Sequence, residues 1–411
     1  MEIRPILSAL MRNKTGPILV AIQVALSMAI LANALHVVNL RQQVAARPSG
    51  LADEASVFHM RVRTLADAGF EDVVANRERQ LAVLRGVPGV VSAAEVNQTP
   101  LSRSGNNNSV YTDVKQIEPV ANAATYDSPE GLVKTWGLKL VEGRDFTPAE
   151  LSNANPKVDD NNLSEVVIVT KALAEKLFPG QSALGKSIYN GNGEGARSLR
   201  IVGVVERLQT PFVPVNERAE FSIIRPYRYA GANRAGYTLR VEPGQLDRVM
   251  RDAEQALRQS SADPKIIDSI SMEKQRKNCY RGDAALSAML IIVSCLLLLV
   301  TASGIVGMAS LWVTQRRKQI GVRRALGARK VDILRYFITE NVMITTSGIV
   351  GGVLLALALN HLMVTKLEMV RLPIGYLLAG AGVFWALGIG AAYGPAWRAA
   401  SIPPATATRT A

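Results

Sequence analysis

Four stretches of the chain contain no Asp, Glu, Lys or Arg: Thr15 to Leu40, Ala284 to Gln315, Asn341 to Thr365 and Leu372 to Trp397. A spanning helix needs about 20 apolar residues to cross roughly 30 Å of hydrocarbon. Each stretch is long enough, so the pattern predicts crossings at 17–40, 284–314, 338–364 and 373–396. The second run is the longest, and about 31 residues of helix extend about 46 Å. It is expected to project beyond the bilayer.

Between the first two runs lies a polar segment, 41–283, with the periodicities of a folded domain. Val57 to Val62 and Val90 to Val96 read as strands around a helical Glu71 to Arg85, which closes at Gly86-Val87-Pro88-Gly89. Tyr237 to Val241, Leu246 to Gln259 and Ile266 to Ser271 repeat the strand-helix-strand order. Two such halves, about 55–98 and 215–271, are compatible with a ferredoxin-like module. The part between them, about 99–214, is rich in Asn, Gly and Pro and has its own strand candidates, Val166 to Val169 and Leu199 to Val205. Met272 to Asp283 is polar and helix-compatible, and reads as a stalk leading into the second crossing. The predicted fold class is therefore an α-helical membrane protein with four transmembrane helices plus an α+β extracytoplasmic domain on a helical stalk.

The net charge of +13 could suggest nucleic acid, but its distribution argues otherwise. Residues 41–283 hold 32 basic and 30 acidic side chains, whereas 314–337 hold eight basic residues against Asp332 alone. The first 14 residues hold Arg4, Arg12 and Lys14 against Glu2 alone, and Arg398 and Arg409 lie in the tail. Positive charge thus collects at helix ends on one side, which is the positive-inside pattern and not a nucleic-acid footprint. The termini (1–16 and 397–411) and the 315–337 segment are expected on the cytoplasmic side. The large domain and the short 365–372 loop are expected outside. Residues 1–34 also carry marks of a secretory leader, with Ala32-Asn33-Ala34 as a cleavage site. That alternative would leave three crossings.

Candidate chemistry is sparse. Gly180-Gln181-Ser182-Ala183-Leu184-Gly185-Lys186-Ser187 matches the phosphate-loop pattern. That mechanism needs a strand before the loop and a helix after it. Here Lys171 to Phe178 looks helical, and Asn190-Gly191-Asn192-Gly193 is turn sequence, so nucleotide binding is not expected. His36, His59 and His361 are scattered, and no metal-ligand or nucleophile-base spacing is evident. No catalytic residue, metal or cofactor is assigned. Cys279 and Cys295, if on one helix, lie about 24 Å apart, too far for a disulfide. The apolar runs carry no charge, which argues against an ion relay. Gly348 with Gly352, and Gly390 with Gly394, have small-xxx-small spacing that lets helices approach closely. They are candidates for packing within one chain or for a dimer interface.

The most informative segment is Arg316-Arg317-Lys318-Gln319-Ile320-Gly321-Val322-Arg323-Arg324-Ala325-Leu326-Gly327-Ala328. Helical spacing places Ile320, Arg323, Arg324, Gly327 and Val331 near one another on one short helix. Leu326, Ile333, Leu334, Phe337 and Ile338 can supply its apolar contacts. Attraction to anionic lipid explains its basic residues, but explains less well the interleaved Ile320, Gly321, Ala325, Leu326 and Gly327.

With Ile333, Phe337 and Glu340, this segment resembles the signature of the FtsX-like permease domain. Gly137 to Leu140 with Glu142 to Phe146 is similar to the external domain of its MacB-like branch. So is Val166 to Ile188 followed by Ile201 to Glu206, which accounts for the false phosphate loop. Pro395 to Ala400 with Pro403 resembles the branch's C-terminal ending. The resemblance implies a porter part (55–98 and 215–271) with an inserted sabre part (99–214). It further implies a permease subunit of an ATP-binding-cassette transporter for export or efflux, dimeric with itself or with a related permease. ATP and Mg would be bound by a separate cytoplasmic ATPase, docked through Arg316, Arg317, Lys318, Ile320, Gly321, Arg323, Arg324, Leu326 and Gly327. The resemblance also implies a bacterial inner membrane with the large domain in the periplasm, and a periplasmic adaptor and an outer-membrane channel as further partners. The same family includes mechanotransmitters that regulate an envelope enzyme and lipoprotein-releasing permeases, which stay open as alternatives. Gln315 and Gln319 stand where the family often has acidic residues, Ser401 where it has Arg, and Thr406 where it has Glu.

Overall fold

The structure is a computed structural model that describes residues 14–65, 69–155, 163–229, 234–261, 263–367 and 370–401. Glu2, Arg4, Arg12, Pro403, Thr406 and Arg409, named above, lie outside the described residues. The chain divides into two compact units: residues 1–43 with 283–411, and residues 44–282.

The first unit holds helices long and apolar enough to cross a membrane: α1 (Thr15–Ala45), α6 (Met272–Gln315), α8 (Lys330–Leu367) and α9 (Ile374–Ala400). Helices α1 and α6 each continue into the second unit. At 44 residues, α6 runs about 66 Å. The predicted stalk and second crossing are therefore one uninterrupted helix. Its apolar window is only 17% buried, against 56% for α1. Val24, Met28 and Leu31 of α1 instead lie in a cluster with Ile305, Ile344, Ile349 and Phe384. Small hydrogen bonds punctuate this packing. Ser27 meets Thr301 at 2.9 Å, and Asn33 donates to the Ala356 carbonyl. Cys279 is buried and Cys295 exposed, with no disulfide between them.

The second unit contains a four-stranded antiparallel sheet and a seven-stranded mixed sheet. The first is built from β1 (Val57–Thr64), β2 (Val90–Glu95), β12 (Arg234–Val241) and β13 (Lys265–Ser271), in the order β13-β1-β12-β2. With α2 (Phe70–Arg85) and α5 (Leu246–Gln259) as its helices, this is the ferredoxin-like arrangement expected. Alternation along β1 explains its faces. Phe58, Met60 and Val62 pack against Leu81, Leu84, Val249, Ala253 and Leu257, while Arg61 and Arg63 point to the other side.

The seven-stranded sheet follows the order β5-β9-β7-β10-β4-β3-β8. Its strands are β3 (Asn107–Tyr111), β4 (Ala121–Asp127), β5 (Leu140–Gly143), β7 (Val166–Thr170), β8 (Ser187–Asn190), β9 (Arg197–Val205) and β10 (Ser222–Arg225). The sequence pattern ends the insertion near 214, yet β10 lies beyond that point. It pairs in parallel with β4 and antiparallel with β7, so the insertion runs past Arg225. Short strands β6 (Ser152–Ala154) and β11 (Tyr227–Tyr229) pair separately. Around the sequence of the phosphate-loop match, helix α4 (Lys171–Leu177) comes first and strand β8 follows. The order is opposite to the one that cradles phosphate. Helix α3 (Leu132–Trp136) brings Trp136 into the core between the sheets, where its indole donates to Thr238 at 2.7 Å.

At the start of α6, Arg276 donates to both Glu54 carboxylate oxygens, at 2.5 and 2.7 Å, and to the Ala45 and Arg47 carbonyls. Burial pushes the Glu54 pKa up, but the hydrogen bonds from Arg276 and Ser49 outweigh it and hold the carboxyl below its ordinary range.

Candidate functional site

The basic segment forms a bent tip between α6 and α8. Helix α7 (Arg317–Ala325) is nine residues long. It stops because Gly327 enters the left-handed region at φ +95°. There the Ala328 N–H donates to the Arg323 carbonyl and the Gly327 N–H to the Arg324 carbonyl. These two bonds make a Schellman termination, which favours glycine at that position. The next helix starts at once, and the Asp332 carboxylate accepts from the Arg329 N–H at 3.0 Å. The expectation of a single short helix is thereby corrected: Gly327 is the turn, and Val331 belongs to α8.

One apolar residue anchors α7. Ile320 is buried with Ile333 and Phe337 of α8 and with Ala396, Ala399 and Ala400 of α9. Gly321 is buried beside it. Arg316, just before α7, makes a two-pronged contact with Glu340 at 2.8 and 3.0 Å. The Glu340 side chain is only 1% exposed. Removing Arg316 would leave that carboxylate uncompensated, a loss of about 3–5 kcal/mol for buried pairs. Arg324 donates to the Ala328 carbonyl at 3.1 Å and so supports the turn. The Arg323 guanidinium lies over the Tyr336 ring, 5.2 Å from its centre.

The rest of the tip faces outward. Arg317, Lys318 and Arg323 are exposed. So are Val322, Leu326 at 84% and Val331 at 66%. Leu326, a candidate for apolar contact by its spacing, instead stands free at the bend. The structure thus separates the predicted residues into an anchor, with Ile320 and Gly321 buried and Arg316 and Arg324 half-buried, and an outward face (Arg317, Lys318, Arg323, Leu326). The Arg316–Glu340 partnership, across 24 positions, has no periodic signal in the sequence.

The glycine pairs separate too. A Cβ on Gly348 would sit 2.7 Å from the Val24 Cβ, and one on Gly352 would sit 2.7 Å from the Met28 Cβ. Both glycines let α8 approach α1 of the same chain. A Cβ on Gly390 or Gly394 of α9 would meet nothing within 4 Å. Among the described residues no group of three His, Cys, Asp or Glu side chains is placed to hold a metal ion.

Two family models match the chain. One is the MacB-like periplasmic core domain over residues 20–256 and the other the FtsX-like permease C-terminal domain over residues 291–404. A macrolide export ATP-binding/permease protein MacB of Chromobacterium violaceum is 26% identical over 302 residues, 70% of this chain and 43% of that protein. A protein of the same description from Agrobacterium fabrum is 27% identical over 356 residues, 84% of this chain and 51% of that protein. The chain therefore spans about half the length of these relatives. The periplasmic region of MacB from Actinobacillus actinomycetemcomitans aligns with 58% of this chain and 97% of its own, at 15% identity and a TM-score of 0.33.

Proposed function

Because the chain belongs to the MacB-like ABC transporter permease family, we propose that it couples ATP binding and hydrolysis in a cytoplasmic ATPase to motion of its periplasmic domain, and so exports a periplasmic substrate. The ATPase, which holds ATP and Mg, docks on the tip formed by α7 and the start of α8. The termini and the tip face the cytoplasm. A second copy or a related permease completes a dimer, and a periplasmic adaptor and outer-membrane channel carry the substrate onward. No catalytic role is assigned to this chain.

One observation carries the docking assignment: the tip is anchored from below by Ile320 and the Arg316–Glu340 pair and left apolar and basic on its outer face. Ile320 and the Gly327 turn fix its shape, while Leu326 stands 84% exposed beside Arg323. Lipid anchoring alone needs no such fixed shape, whereas a protein groove does.

The test is co-purification of the ATPase with a Leu326→Glu, Lys318→Glu variant. Both side chains are exposed, so the permease should insert and extract normally. ATPase retention should fall at least about tenfold, the effect expected when a central apolar anchor is lost. Retention equal to wild type would remove the docking assignment. An ATPase that assembles but responds to no solute, with a hydrolase retained on the periplasmic domain, would replace export by mechanical activation of that enzyme.

A further inference from the structure

The second unit contains an open cleft of about 1630 Å³ between its four-stranded and seven-stranded sheets, and the charged side chains that line it are predominantly basic. Seven arginines line it against three carboxylates, Glu95, Asp127 and Asp268, an excess of four positive charges. Two of those carboxylates are already committed. Glu95 lies between Arg77 at 2.9 Å and Arg228 at 2.6 Å. Asp127 holds Arg225 at 2.6 Å and also accepts from Asn97.

What remains is arranged against the ordinary rules of a sheet. Arg63 of β1 stands directly opposite Arg234 of β12 in the antiparallel register. Like charges at that position destabilise strand pairing. Arg61, two positions along the same face of β1, is opposite Asp268 of β13. The guanidinium groups of Arg63, Arg103 and Arg234 make no ion pair or hydrogen bond among the described residues. Arg103 is carried into the cleft by a loop with left-handed backbone at φ +58°, a conformation unusual for a side-chain-bearing residue. The loop is held there by a hydrogen bond from the Arg103 N–H to the Pro211 carbonyl, and by Gln98 bonding both the N–H and the carbonyl of Asn106. Deeper in, His59 is 4% exposed, and its Nδ1 has no hydrogen-bond partner. Asn106, Asn107, Asn108 and Asn190 add uncharged donors and acceptors to the wall.

From this we infer that the cleft binds an anionic, hydroxyl-rich solute, a carboxylate or phosphate on a polar body, and that this is the class of molecule the protein exports. The inference rests on the export reading above and adds the substrate class. Arg63, Arg234 and Arg103 hold the anionic group by charge-assisted hydrogen bonds, and the asparagines meet its hydroxyls. A cation is a poor match, since the excess of arginines on the wall repels its charge.

The experiment measures equilibrium binding to the full chain in lipid nanodiscs. Trigalacturonate supplies a carboxylate, glucose 6-phosphate a phosphate, maltotriose a neutral body and erythromycin an apolar cation. Binding of either anion above maltotriose and erythromycin, weakening as salt rises, supports the proposal and identifies the head group. In the Arg63→Gln, Arg234→Gln variant, anion affinity should fall by about tenfold or more, the loss expected for charged hydrogen bonds. Its melting temperature should not fall, because the opposed charges are gone. Arg63→Glu gives a second check: it makes an attractive pair with Arg234 across the strands, and should keep the fold while abolishing anion binding. Equal binding of all four probes, or full anion affinity in the folded variants, would overturn the substrate class. ATPase co-purification is scored on the same samples. An assembled complex that ignores the anions sinks only the cargo inference, whereas lost assembly strikes the function itself.

Discussion

His59 shows how one residue ties the sheet's packing to pH. It is buried, with its Nε2 3.4 Å from the Met272 sulfur and its ring edge-on to Trp136. Burial, with Arg61 nearby adding repulsion, pushes its pKa down to about 3. The folded protein therefore keeps His59 neutral at pH values where the unfolded chain binds a proton. The stability it contributes is complete above the ordinary histidine range near pH 6.5 and is lost as pH falls toward 3. Between pH 7 and pH 5 this amounts to about 2 kcal/mol. His59→Phe, which keeps the ring and removes the titration, should flatten the thermal-denaturation profile over that interval. An unchanged slope would assign it to other groups. Nothing in the sequence marks this histidine beyond its place in a strand. The alternation of β1 puts it on the cleft side, but only the fold puts Trp136 and Met272 around it.

At the scale of elements, what can be read in advance depends on whether one periodicity governs the whole element. The four crossings and both halves of the ferredoxin-like sheet are legible because a long apolar run and an alternating strand are each unambiguous. Strand β10 is not. It sits mid-sheet with Ser222, Ile223 and Ile224 all buried, so it lacks alternation, and it follows the Pro-containing stretch 211–216 that reads as the end of the insertion. The basic tip is legible in composition but not in shape, since helical spacing runs straight through Gly327 while the backbone turns there. The glycine pairs have identical spacing and different surroundings. Gly348→Leu and Gly352→Leu drive side chains into Val24 and Met28, at a cost of about 1–3 kcal/mol each. They should lower the yield of folded permease on gel filtration. Gly390→Leu and Gly394→Leu meet open space in this chain and should leave that yield intact. If both sets behave alike, the assignment of α8 against α1 is wrong.

At the scale of the molecule, each unit has its own core, and the two are joined through α1 and α6. The chain spans about half the length of relatives whose names describe ATP-binding/permease proteins. Under the proposed function, a cytoplasmic ATPase would dock on the outward face of the tip. The apolar length of α6 is a separate matter. Met289, Ile292, Leu296, Leu299 and Val300 are all more than half exposed in the single chain. Only hydrocarbon or another protein surface can cover such a stripe in a membrane. Cys295 lies within it, which equips the native sequence with its own proximity sensor. If a second copy covers α6, mild oxidation of native membranes should yield a reducible dimer without any engineered residue, because a disulfide forms only when two Cα atoms come within about 7 Å. A chain that stays monomeric, with Cys295 open to a lipid-soluble maleimide, would assign the stripe to acyl chains and move the search for the second copy to another helix.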